Sequence, residues 1–212
     1  MMKYILPILA FVAISCSTEV KKEQSFQNTD KIAAEDTWLF KITLNDSVIL
    51  PVKVTSIPGD DPNFIIHNAE EQITLKNIQL KGDSIFMEMP VFQTGFEGVF
   101  NGEEMSGVLV KYDAVDYRLP FTAQKATLDN SQLEKPCCDI NKRYKVLFRP
   151  GQDNEGHAIG EFKQNGNEVS GTFMTETGDY RYLGGTLEGN QMKLSSFDGN
   201  HLYVFKATVS EN

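Results

Sequence analysis

The most overt chemistry in the sequence lies in two adjacent cysteines, Cys137 and Cys138. Thiol–disulfide catalysts hold their cysteines two residues apart, a spacing that permits an unstrained bond and a lowered thiol pKa. With no spacer, this pair closes only a strained ring, so three states stay open: a vicinal disulfide, bonds to other chains, or two thiols in a loop. An oxidising compartment favours some form of disulfide. No histidine is near in sequence to complete a metal site, and no metal or cofactor is expected. His67, His157 and His201 are isolated from one another. Ser195, Ser196, Asp198 and His201 contain the letters of a hydrolase triad but sit around a tight turn without a nucleophile elbow, so no catalytic residue is assigned.

A second feature is a repeated Asp-Tyr-Arg, at Asp116-Tyr117-Arg118 and Asp179-Tyr180-Arg181. In a strand the Asp and Arg share one face and the Tyr takes the other. The plain reading is a same-face charge pair above a core tyrosine. The sharper reading makes Arg118 and Arg181 candidate ligand-binding residues at the mouth of a shared cavity, suited to an anion or a carbohydrate.

The elements that must carry these residues have period 2. Trp38, Phe40, Ile42 and Leu44 alternate with Leu39, Lys41 and Thr43, a strand with one apolar face. Val48–Thr55 returns after an Asn-Asp-Ser turn, and Pro51 within it predicts an edge position or a bulge. Further strands are expected at 63–67, 71–76, 84–89, 95–101, 105–111 and 117–123, then at 143–149, 157–163, 168–175, 179–184, 191–196 and 201–209. Short strands broken by Gly/Asn/Asp turns predict an all-β, antiparallel meander forming a barrel or sandwich. The two halves share an ordered pattern: Gly98-x-Phe100, Ser106-Gly107 and Asp-Tyr-Arg match Gly160-x-Phe162, Ser170-Gly171 and Asp-Tyr-Arg. Two similar meanders, 37–125 and 142–212, are therefore expected, with 126–141 as the connection.

Upstream, Lys3 and the apolar run Ile5–Ile14 form a signal segment, residues 1–15, too short to span a bilayer as a helix. Ala13-Ile14-Ser15-Cys16 resembles a bacterial lipobox, which implies acylation of Cys16 and an anchor worth roughly 0.8 kcal/mol per buried methylene. Residues 16–36 read as the lipidated cysteine and a flexible tether, reaching about 25 Å from the membrane. The expected location is the cell envelope, lipid-anchored, on the periplasmic side or the outer-membrane surface.

The formal charge of −9 becomes −10 once Lys3 is removed with the signal segment. An acidic module argues against nucleic acid as a partner, because phosphate neutralisation needs a basic face.

Residues 158–162, 169–175, 177–185, 196–199 and 205–207 together resemble the β-rich N-terminal region of Bacteroidetes lipoproteins of the TlpA/ResA-like thioredoxin family, best over 142–208 and more weakly over 37–123. That resemblance implies periplasmic thiol–disulfide chemistry and a thioredoxin-like domain or protein as partner. The chain has no Cys-x-x-Cys, so none of that family's catalytic residues carries over. The expected function is a lipid-anchored envelope module with a non-catalytic binding or accessory role, taking a small ligand or a partner protein. The alternatives are a piece of a truncated thiol–disulfide oxidoreductase and a lipocalin-like carrier with a hollow barrel. Cys16→Ala should abolish fatty-acid labelling and detergent partitioning of the expressed chain, and unchanged membrane association in that variant would refute the anchor.

Overall fold

A computed structural model describes residues 32–126 and 133–209. The signal segment, Cys16 and most of the expected tether lie outside the described residues. Among those described, the chain is all β: β1 (Asp36–Asn45), β2 (Val48–Ile57), β3 (Asn63–Asn68), β4 (Glu71–Lys81), β5 (Ser84–Glu88), β6 (Thr94–Phe100), β7 (Glu104–Lys111), β8 (Arg118–Lys125), β9 (Arg143–Phe148), β10 (Gly156–Asn165), β11 (Glu168–Thr175), β12 (Gly178–Glu188), β13 (Gln191–Phe197) and β14 (Leu202–Thr208). Strands β1 to β8 form a closed antiparallel barrel in sequence order. Closure is made by β1 and β8, from Trp38 opposite Lys125 to Ile42 opposite Phe121.

The alternation read in the sequence decides which side chains fill this barrel. Trp38, Phe40 and Ile42 point inward with Leu50, Val52 and Val54 of β2, and all are buried. Phe96 lies edge-on to Phe40 and Phe121, with ring centroids 5.3 Å and 5.1 Å apart. The interior is therefore packed by rings and branched side chains, which leaves an eight-stranded barrel no room for cargo. Gly98 and Gly107 face each other across β6 and β7. A Cβ on Gly107 would strike the Glu97 carbonyl, and one on Gly98 the Ser106 carbonyl, so both positions need glycine for this close approach. Ile32, placed in the tether by its sequence context, packs into the barrel core, so the folded unit begins ahead of β1.

Pro51 falls where β2 has outrun β3. It stands opposite Lys41 of β1, whereas the pairing with β3 begins only at Lys53. The missing N–H therefore breaks no ladder on that side.

The second unit is an open six-stranded antiparallel sheet, ordered β14-β13-β12-β11-β10-β9 and curled into a half-barrel. Its concave face buries Phe162, Val169, Phe173, Leu183, Leu187 and Leu194, with Phe148, Tyr180 and Phe205 half-buried around them. The connecting segment 133–141 caps this face. Ile140 is buried in the cluster, its N–H donates to Gln164 Oε1 (2.9 Å), and the Cys137 N–H donates to the Gly189 carbonyl (2.7 Å).

The repeated pattern maps onto two three-strand successions, β6-β7-β8 and β10-β11-β12, with one register difference. Phe100 stands opposite Met105, but Phe162 stands opposite Gly171, because two more residues separate Phe162 from Gly171 than separate Phe100 from Gly107. An even shift keeps every side chain on its own face of the sheet. The similarity stops at strand number, eight against six. The first Asp-Tyr-Arg also departs from the strand reading: Asp116 lies in a turn at φ 55° and β8 begins only at Arg118, so these two do not share a strand face. In the second copy Asp179 and Arg181 are exposed within β12, and Tyr180 points into the aromatic cluster.

The units are joined through β13 and β14, each of which serves both cores. Phe197 is fully buried in the barrel, its ring 5.9 Å from Phe96, while Leu194 belongs to the half-barrel core. The Asn68 side chain closes the junction: Nδ2 donates to the Phe197 carbonyl (2.7 Å) and Oδ1 accepts from the Phe197 N–H (3.1 Å). Removing the amide orphans two buried backbone groups, at about 1–3 kcal/mol each, and truncating a buried phenylalanine costs about 3–5 kcal/mol. Asn68→Ala should therefore destabilise by about 2–4 kcal/mol and Phe197→Ala by about 3–5 kcal/mol in urea unfolding. Small-angle scattering on either variant should show a larger radius of gyration as the units separate.

Candidate functional site

A cleft of about 750 Å³ lies between the barrel and the half-barrel. It follows from the way the two units meet. Along β13, Lys193, Ser195 and Phe197 project toward the barrel, and along β14 Leu202, Val204 and Lys206 do the same. Phe197, Leu202 and Val204 pack on the barrel core. Farther along both strands the surfaces part, and Lys193 and Lys206 line open space.

The barrel wall is the outer face of β2 and β3. Lys53 and His67 stand directly opposite each other there. His67 Nε2 shares a hydrogen bond with Thr55 Oγ1 at 2.8 Å, and burial together with the Lys53 charge pushes its pKa below the usual histidine value. On the sheet wall the register aligns a row of side chains from Glu168 through Thr186 and Lys193 to Lys206. A parallel row runs from Lys163 through Ser170 and Gly184 to Ser195.

Three links hold the walls at a fixed spacing. One is the Asn68–Phe197 amide pairing. The second is the Ser195 hydroxyl, which donates to the Pro51 carbonyl at 3.2 Å. The third is the ion pair between Lys163 Nζ and Glu70 Oε1 at 2.9 Å, which spans the cleft at its exposed side. Four lysines (Lys53, Lys163, Lys193, Lys206) line the cleft against three glutamates (Glu70, Glu168, Glu188), although the whole chain carries 20 basic and 29 acidic residues.

The candidate residues of the sequence fall elsewhere. Arg118 pairs with Glu97 at 2.6 Å on the outside of the barrel, and the Arg181 guanidinium lies 5.8 Å from the Tyr182 ring. Neither lines the cleft. Asp198 does meet His201, Oδ2 to Nδ1 at 2.8 Å, but the contact organises the β13–β14 turn, in which Asp198 Oδ1 also accepts the N–H groups of Asn200 and His201. The Ser195 hydroxyl is engaged on Pro51, so this cluster is a built turn gripped by the barrel, where Lys111 Nζ donates to the Asn200 carbonyl at 2.7 Å.

Cys137 and Cys138 sit on the cap of the half-barrel with their Sγ atoms 3.0 Å apart. Neither is in a disulfide; Cys137 is exposed and Cys138 half-buried. His67 is the one sequence-flagged histidine in the cleft. The lysines of the cleft gave no motif, because each is an ordinary outward residue of an alternating strand.

No family model matches the sequence, and neither a curated protein nor a solved structure matches the chain.

The thiol geometry yields a direct expectation. A reductase must leave its own disulfide stable after each turnover, and adjacent cysteines close only a strained, readily reduced ring. The purified chain should reduce insulin no faster than dithiothreitol alone. Turnover lost in Cys137→Ser or Cys138→Ser would make the pair catalytic and reverse this reading.

Proposed function

We propose that this chain is a lipid-anchored envelope module that binds its ligand, without catalysis, in the cleft between the barrel and the half-barrel. The observation that carries the reading is the placement of empty space. The barrel interior is packed by Phe40, Phe96, Phe100 and Phe121, while about 750 Å³ lies open between the units. That volume is in the range of small-molecule sites. It is bounded by rigid strands and held at its width by three separate links. A packed barrel counts against the lipocalin-like alternative. The anchor at Cys16 would keep the module at the membrane with its cleft in the aqueous compartment.

A second reading, an accessory role beside a thioredoxin-like protein, draws on one observation: a partly exposed pair of thiols 3.0 Å apart within reach of a partner disulfide. It concerns the cap of the half-barrel and leaves the cleft unaffected.

The cleft reading is tested by ligand capture. The full chain, extracted in mild detergent from the cells that make it, should carry a small molecule in native mass spectrometry. Ser170→Trp on the sheet wall and Ile49→Trp on the barrel wall should each remove that mass while retaining the wild-type circular dichroism spectrum. Retention of the bound mass in both variants would refute the cleft as the binding site.

A further inference from the structure

Resting on the cleft as the binding site, we infer that its ligand is a small polyanion, bearing at least two carboxylate or phosphate groups and held between Lys193 and Lys206 on one wall and Lys53 on the other. The register places Lys193 directly opposite Lys206, and it places Lys53 directly opposite His67. Like charges facing each other across a strand pair weaken a sheet. Here one such lysine pair faces a third lysine across the cleft. Among the described residues, none of the three lies within ion-pair distance of a carboxylate, whereas Lys163 on the same wall is engaged by Glu70.

Two other carboxylates line the cleft. Glu188 accepts the Thr186 hydroxyl at 3.2 Å, and Glu168 stands at the far end of its row, separated from Lys193 by Thr186. The hydroxyl of Ser170 lines the same space and can donate to an oxyanion. Three ammonium groups on two walls suit a ligand with anionic groups at both ends, because one carboxylate reaches a single wall. Charge-assisted hydrogen bonds to ammonium groups are the stronger kind, so each lysine should contribute measurably. The same lysines repel one another in the empty protein, so removing one should weaken binding and stabilise the unliganded fold.

The test uses the full chain in detergent, with citrate and pyrophosphate as probes in titration calorimetry at low salt. The wild type should bind at least one probe, and which one it prefers separates carboxylate from phosphate recognition. Lys206→Gln and Lys193→Gln should each weaken that binding about tenfold, with the affinity falling further as salt is added. Without probe, Lys206→Gln should unfold at a higher temperature than the wild type. Equal probe affinity in the wild type and both lysine variants would overturn the inference, as would a lower unfolding temperature for Lys206→Gln. Capture of a neutral molecule that is lost in Ser170→Trp and kept in Lys206→Gln would overturn the polyanion and leave the cleft standing. Lysine-dependent probe binding that ignores both Ser170→Trp and Ile49→Trp would overturn the cleft itself.

Discussion

Phe197 is fully buried in the barrel although it belongs to a strand of the other sheet, and the Asn68 side chain replaces both hydrogen bonds its backbone would otherwise lack. Its ring closes the aromatic stack that begins with Phe40 and runs through Phe121 and Phe96. An apolar contact alone would fix the distance between the units but leave their orientation free, because dispersion and burial are non-directional. The amide pairing supplies direction. Asn68 is buried, so its two bonds are shielded from competing water and any misalignment would orphan three polar groups at once. This residue pair anchors the junction of barrel and half-barrel.

The cleft is a geometric consequence of that junction. Two twisted sheets pinned at one end diverge along their length, and β13 and β14 carry the divergence from Phe197 to Lys193 and from Leu202 to Lys206. At the pinned end the facing side chains are apolar and at the open end they are charged, which is the order desolvation requires. The Lys163–Glu70 ion pair then acts at the rim. Both of its side chains are largely exposed, so it adds little stability, yet it limits how far the walls swing. The spacing is therefore set by salt-insensitive contacts at the base and trimmed by a salt-sensitive one at the edge.

Period 2 made the fold legible. Each of the fourteen stretches read from alternation overlaps a strand, and the turns at Asp46, Gly82, Gly166 and Gly189 lie between the strands they were expected to separate. Closure of the first meander and the openness of the second were not legible, because the pairing of β1 with β8 joins residues far apart in sequence. Ile32 was hidden for a related reason: one apolar residue in a polar stretch carries no period. The site was less legible still. Arg118 and Arg181 stood out because a motif repeats, but a repeat says nothing of which outer faces meet. One signal did exist. Leu202-Tyr203-Val204-Phe205 is apolar on both faces, the mark of a strand covered on both sides, and it points to β14 as the layer between two cores.

That doubly covered strand also explains why the chain can be so acidic and still hold a lysine-lined hollow. Charge on the outside of an alternating strand is ordinarily diluted by solvent and salt, so the overall excess of 29 acidic over 20 basic residues sets the far field. Where β2 and β3 face β13 and β14, two outward faces line one cleft, and four lysines stand there against three glutamates. Such a site depends on the local arrangement of strands and is invisible in any average over the sequence.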